Sequence, residues 1–223
     1  MSSNQKHIIL TVTSDPNYDQ RMIRICTSLH NAGYKVTLVG RKRPNSKPLT
    51  ERPYTQIRLK QRIDRGKLFY ITFNIKLLFF LLFKNADALC AIDLDTILPV
   101  YYTSKLKGIK RVYDAHELFC EIEEIASRPS IQKIWYAIEQ HTVPNFKHGY
   151  TVNQSYVEEY NKLYSINYSI VRNATILTPL TIQENKEPHI LYQGAVNKGR
   201  CFEQLIPAMK DVNSKLIICG EGN

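Results

Sequence analysis

A short apolar run followed by an amphipathic helical stretch, repeated along the chain, restricts its fold more than any other feature. His7 to Thr13 reads as a buried strand, Asp15-Pro16-Asn17 as a turn, and Met22, Ile25, Cys26 and Leu29 recur on one helical face that ends near Gly33. Lys35 to Gly40 and Tyr54 to Leu59 are the next strands, and Leu68 to Phe83 is a helix. Further strands are expected at Ala88 to Ile92, Arg111 to Tyr113, His148 to Val152 and Ser169 to Val171. Helices are expected at Thr96 to Lys107, Ile131 to Val143 and Ser155 to Tyr164. The pattern specifies an α/β, doubly wound parallel sheet of Rossmann-like type, because parallel strands need crossovers and helical crossovers cover both faces. Ligands of such sheets gather at the carboxyl ends of the strands.

Composition narrows the class. Hydrophobic content of 43% and charged content of 22% supply a core and argue against disorder. Cys26, Cys90, Cys120, Cys201 and Cys219 are an odd number, far apart and without a C-x-x-C pair, so neither a zinc site nor a disulfide framework is indicated. MSSNQKHIIL runs into Thr11 and Thr13 too soon for a signal peptide, and a cytoplasmic location is expected. Six scattered histidines offer no metal constellation, and Asp93-Leu94-Asp95 is a D-x-D by letters only.

Charge is uneven. Of the net +10, a block from Arg41 to Lys67 carries ten Lys or Arg against Glu51 and Asp64 alone. It suits an anionic partner, whether a membrane surface, a pyrophosphate-linked lipid or nucleic acid, or else it is a solvated loop. No nucleic-acid recognition motif accompanies it, and no nucleic acid is expected as a partner. The adjoining LFYITFNIKLLFFLLF is sixteen residues long and contains Asn74 and Lys76, short of the roughly 20 apolar residues of a membrane span. It packs against the sheet or dips into a membrane from the surface, peripheral to it.

The segment HILYQGAVNKGRCFEQLIPAMKDVNSKLIICGEGN, His189 to Asn223, reads as strand, glycine turn, helix and strand ending Gly220-Glu221-Gly222. Lys198 and Arg200 flank the turn, where helix N–H groups and cations together suit a phosphate. This segment resembles the opening of the C-terminal domain of retaining glycosyltransferases with the GT-B fold, the large sugar-nucleotide family numbered four. SDPNYDQRMIRICTSLHNAGYKVTLVGRKR, AIDLDTILP and YDAHELFCEIEEIASRP are similar to N-terminal domains of its bacterial members.

The resemblance implies an acceptor-binding domain over residues 1–177, a linker over residues 178–188 containing Pro179 and Pro188, and the start of a nucleotide-sugar domain over residues 189–223. The family's glutamate pair, spaced E-x-x-x-x-x-x-x-E beyond the G-x-G strand, is not reached, so this second Rossmann-like domain is expected to be truncated. The implied co-substrate is a UDP- or GDP-linked sugar, with no metal or other cofactor, and the implied acceptor is a glycan or lipid-linked glycan, in polysaccharide or cell-envelope synthesis. Gly194, Lys198 and Arg200 would hold the donor phosphates, and Gly220, Glu221 and Gly222 the nucleotide. His116 would contact the transferred sugar.

Asp114, His116 and Glu117 follow a strand and are expected to face the cleft, with His116 able to donate to an anionic oxygen or to cap the next helix instead. Asp95 is expected as the N-cap of the helix from Thr96. Asp15, Asn17 and Tyr18 line the loop after the first strand. That loop lacks the glycines many family members place there, which makes an acceptor or interdomain role as fitting as donor contact. Where related sequences often have glycine, this chain has Cys201. Two other readings stand beside the enzyme: a non-catalytic remnant or half of a split enzyme that keeps acceptor or membrane binding, and a dinucleotide-dependent oxidoreductase. The second is opposed by the missing G-x-G-x-x-G after the first strand.

Overall fold

The computed structural model describes residues 5–175, 177, 179 and 188–222. The chain divides into two compact units, residues 1–174 and residues 175–223. Of the expected linker, all but Pro179 and Pro188 lies outside the described residues.

The first unit is a seven-stranded, wholly parallel sheet. Its strands are β1 (His7–Thr11), β2 (Lys35–Lys42), β3 (Thr55–Lys60), β4 (Ala88–Ile92), β5 (Lys110–Ala115), β6 (Gly149–Thr151) and β7 (Ser169–Ile170), in spatial order β3-β2-β1-β4-β5-β6-β7. The chain winds outward from β1 in one direction, returns, and winds outward from β4 in the other. The carboxyl ends of β1 and β4 therefore form the topological switch point, where a crevice opens in such sheets.

Alternation along the central strands explains why both faces are covered. Ile9, Val39, Leu89 and Ala91 enter one core together with Phe73 and Leu77. Their neighbours Leu10, Val12, Leu38, Cys90 and Ile92 enter a second core against Met22 and Cys26. That second face is closed by α1 (Gln20–Asn31), started by Asp19, whose carboxylate accepts from the Met22 N–H at 3.0 Å. The first face is closed by α2 (Gly66–Leu82), α3 (Ile97–Lys107) and α5 (Pro129–Thr142), preceded by the short α4 (Glu123–Ala126). The last helix of this unit is α6 (Gln154–Tyr164). α4 has no counterpart in the sequence reading, since four residues show no periodicity.

Two details differ from expectation in ways that matter for the site. The first strand ends at Thr11 rather than Thr13, which frees the Thr13 and Ser14 side chains to bond elsewhere. The fifth runs to Ala115 rather than Tyr113, so Asp114 lies within the sheet, paired in register with Ile92.

The loop after β1 is brought close not by glycines of its own but by Gly40 in β2. A Cβ there would lie 2.5 Å from the Ser14 carbonyl oxygen and 2.7 Å from Pro16 Cδ. The Arg41 N–H donates to that same Ser14 carbonyl at 3.1 Å.

The second unit comprises β8 (His189–Gln193), α7 (Phe202–Ala208) and β9 (Lys215–Cys219), with β8 and β9 parallel. Leu191, Ile206 and Ile218 are exposed on it.

Gly40→Ala is expected to push the Ser14–Pro16 loop off β2 and to cost about 1–3 kcal/mol, in the range of overpacking substitutions. The midpoint of urea unfolding checks this, and an unchanged midpoint would mean that the loop yields freely.

Candidate functional site

Four ionisable side chains meet at the carboxyl ends of β4 and β5. Arg21, in the first turn of α1, sends its guanidinium to Asp114 in a two-pronged pair, Nη2 to Oδ1 at 2.7 Å and Nε to Oδ2 at 3.2 Å. Both residues are buried. The Tyr150 ring lies against the guanidinium, 5.8 Å from its carbon. Two residues past Asp114, extended backbone returns to the same side, and His116 Nδ1 lies 3.6 Å from Asp114 Oδ1. Its other nitrogen, Nε2, lies 3.1 Å from Asp93 Oδ2.

Asp93 holds an unusual backbone conformation, φ 52° and ψ 179°, close to a region that glycine almost alone occupies and that costs other residues about 1–3 kcal/mol. Its N–H donates to the Asp114 carbonyl at 3.0 Å, which continues the β4–β5 ladder past its end and fixes the strained turn. Its Oδ1 is buried without a hydrogen-bond partner among the described residues.

Charge balance sets the protonation of this group. With one proton held between His116 and Asp93, the four side chains Arg21, His116, Asp93 and Asp114 sum to zero; with neither protonated, a buried negative charge is left over. Burial pulls the His116 pKa down, but the nearby carboxylates of Asp114 and Asp93 outweigh it, so it is pushed up to about 9. Burial also raises the Asp93 carboxyl well above its usual range, with the His116 charge opposing that rise. The raised pKa of His116 favours its imidazolium, which is 28% exposed and placed to donate a hydrogen bond to Asp93.

Asp95 stands at the other side of the switch point. It does not cap α3: its carboxylate accepts from the Thr13 hydroxyl, and its carbonyl accepts from Asn74 Nδ2 at 2.9 Å. Burial raises its pKa to about 6, against the lowering effect of the Thr13 bond. Asp95 also lines a groove of about 560 Å³ between α2, α4 and α5, whose walls include Tyr70, Leu98, Ile131, Trp135 and Ile138. Lys67, Glu124 and Arg128 are its charged exposed lining. The groove therefore joins an apolar trough to the polar crevice.

Several expected site residues are placed differently. Asp114 does not face the cleft from a loop, because the sheet extends through it and Arg21 neutralises it. Asp15 is buried too. It binds Arg58 at 2.7 Å, the Ser46 hydroxyl and the Asn17 N–H, and these bonds hold its pKa down although burial works the other way. Asn17 Oδ1 accepts from the Thr50 N–H at 2.8 Å. Asp15 and Asn17 thus tie down the segment before β3, while Tyr18 is left 52% exposed. Glu117 is exposed, and its carbonyl lies 3.5 Å from the Tyr160 hydroxyl. No side-chain cap from His116 or Glu117 serves α4 or the 3-10 turn before it.

In the second unit, Lys198 and Arg200 are exposed, and among the described residues neither makes an ion pair. Gly194 and Gly220 meet backbone to backbone: the Gly194 N–H donates to the Cys219 carbonyl at 3.0 Å, and a Cβ on Gly220 would lie 1.7 Å from the Gly194 oxygen. A Cβ on Gly222 would lie 2.1 Å from the Val196 oxygen. Packing of the turn onto β9 is thus reason enough for both glycines, with Glu221 between them accepting from the Val196 N–H through its carbonyl. Cys201 has φ 59°, a left-handed conformation that favours glycine.

The role of Asp93 as partner to His116 was not read from sequence. Its only signal is position: it directly follows β4, and β4 pairs with β5, the strand that carries Asp114.

No protein-family model and no curated protein matches the sequence. Solved structures do match. A sucrose-phosphate synthase from Thermosynechococcus elongatus superposes with a TM-score of 0.78 at 18% identity, over 97% of this chain and 62% of that one. The fold is the GT-B, Rossmann-like fold. Arabidopsis thaliana UGT89C1, solved with UDP-L-rhamnose, matches with a TM-score of 0.62 at 9% identity, over 99% of this chain and 69% of that one. A UDP-N-acetylglucosamine 2-epimerase from Rickettsia bellii matches at 0.59 and 13% identity, over 96% and 62%. The chain thus spans about three fifths of the length of the sucrose-phosphate synthase.

Two outcomes follow from the charge cluster. Arg21→Ala leaves Asp114 buried and unpaired and is expected to cost about 3–5 kcal/mol, read from denaturant unfolding. For His116 the folded pKa is raised, so its contribution to stability is complete below about 6.5 and declines as pH rises through about 9. His116→Gln should flatten that decline; a wild-type profile unchanged by the substitution would refute the protonated assignment.

Proposed function

We propose that this chain belongs to a nucleotide-sugar-dependent glycosyltransferase that acts with retention, of the family-four type, on a glycan or lipid-linked acceptor. The observation that carries this reading is the imidazolium of His116, held between Asp93 and Asp114 at the carboxyl ends of β4 and β5, next to the switch point of a GT-B sheet. A protonated histidine there is suited to donate to a sugar hydroxyl or to an oxygen that gains negative charge as the nucleoside diphosphate leaves. It is ill suited to take the acceptor's proton. That fits retention, in which the leaving phosphate itself can receive the proton on the face it departs from.

The groove beside Asp95 has the character of an acceptor site. Its apolar walls suit the carrier part of a lipid-linked glycan, and Lys67 and Arg128 suit that carrier's phosphate. The Asp95 carboxylate at its polar end would orient the reacting hydroxyl. In the second unit, the exposed Lys198 and Arg200 are the cations available to a UDP- or GDP-sugar diphosphate, with Gly220, Glu221 and Gly222 beside the nucleotide.

A second reading follows from the Rickettsia bellii match. That UDP-N-acetylglucosamine 2-epimerase shares the fold, so sugar-nucleotide isomerisation is the competitor. Incubating the protein with labelled UDP- and GDP-sugars and lipid-linked or glycan acceptors separates the two. Transfer predicts nucleotide release with a new glycosidic bond whose anomeric configuration matches the donor's. His116→Gln is expected to lower kcat by about 100-fold or more, with nucleotide affinity little changed. Formation of the epimeric sugar nucleotide, or an unchanged rate in His116→Gln, would overturn the proposal.

A further inference from the structure

We propose that the solvent face of α2 seats this protein on an anionic phospholipid bilayer. At 3.6 residues per turn, Phe69, Phe73, Leu77 and Leu81 fall on one side of this helix and are buried against the sheet. Leu68, Ile71, Ile75 and Phe79 fall on the opposite side and stay exposed, at 61%, 54%, 50% and 57%, and Phe83 at the C-cap is 83% exposed. A helix apolar all round is normally buried all round. Here half of it faces solvent along about 24 Å, at 1.5 Å per residue.

Charge identifies the occupant. From Arg65 to Ala86 there is no Asp or Glu. Lys67 and Lys76 flank the apolar row on its two sides, both exposed, with Arg62 and Arg65 before the helix and Lys84 after it. A second copy of the chain packing on this face through a two-fold axis would bring these cations against their own equivalents. A layer of anionic headgroups would satisfy them while the apolar row enters the acyl boundary beneath. The helix lies in the plane of such a surface rather than across it, since no helix among the described residues is long and apolar enough to cross a membrane. Ile71 and Lys67 also line the groove described above, so the docked face is the one onto which that groove opens. The docking itself does not depend on the glycosyltransferase reading.

The test is cosedimentation of the full chain, without nucleotide sugar, with vesicles of phosphatidylglycerol and phosphatidylcholine and with vesicles of phosphatidylcholine alone. Binding to the anionic vesicles is expected, weakening with salt and much weaker on phosphatidylcholine. Ile75→Glu with Phe79→Glu changes only exposed positions and is expected to weaken it at least about tenfold, with the circular dichroism spectrum unchanged. Lys67→Glu with Lys84→Glu, an independent pair that leaves the apolar row intact, is expected to weaken it about tenfold and to flatten the salt dependence. Absence of binding to anionic vesicles, or binding that neither pair weakens, overturns the proposal. So does a dimer in solution that the Ile75, Phe79 pair dissociates while vesicles are ignored, because that assigns the face to a second copy.

Discussion

The pair between Arg21 and Asp114 is the contact on which the arrangement of the site depends. A cation in the first turn of a helix works against the helix dipole, and a carboxylate inside a sheet is costly to bury; each is tolerable here because the other is present. The pair joins α1, which covers one face of the sheet, to the end of β5, and so fixes where the chain leaves the sheet. His116 is placed two residues beyond that point. Its Nδ1 faces a carboxylate already held by Arg21, so the imidazole ring is oriented by a group that cannot itself swing away.

The same ends of strands serve structure and chemistry at once, and the division between them is uneven. Asp15 and Asn17 are spent holding the segment before β3, and Arg58 and Arg41 are withdrawn from the basic block to neutralise Asp15 and Asp64. Arg41 also lies over the Phe69 ring at 4.5 Å, which ties the block to α2. What remains available at the switch point is the group whose geometry is strained or incompletely bonded: Asp93 with its left-handed φ and an unpartnered oxygen, His116 partly exposed, and Asp95 with a raised pKa. Strain and unmet hydrogen-bonding capacity persist in a folded chain only where the surroundings enforce them, and here a ladder hydrogen bond from Asp93 to Asp114 does so.

The sheet was readable from sequence because its central strands are continuous apolar runs, and the helix periods between them left few alternatives. The site was readable only as far as local pattern reaches. Asp114 was expected in a loop because a charge at the end of an apolar run usually marks one; its true position depends on Arg21, 93 residues earlier, which no window of local sequence contains. Asp95 has the residue type and position of an N-cap, yet the Thr13 hydroxyl, freed when β1 ends early, takes its side chain instead. Gly40 shows the reverse case. The glycine that lets the first loop approach the sheet is in β2, where its sequence context gives no sign of the Ser14 and Pro16 atoms that exclude a Cβ.

α2 joins the two halves of the functional argument. Its buried face is needed for the core, so its length and apolar character are explained by folding on that side alone. Folding does not explain Leu68, Ile71, Ile75 and Phe79, since polar residues at those positions would leave the core intact. Nor does it explain why the helix carries cations on both sides of them and no carboxylate of its own. A groove with apolar walls opens beside this face and ends at Asp95; under the proposed reading the two features have one use, since an acceptor anchored in a bilayer would enter from that side without its carrier crossing water.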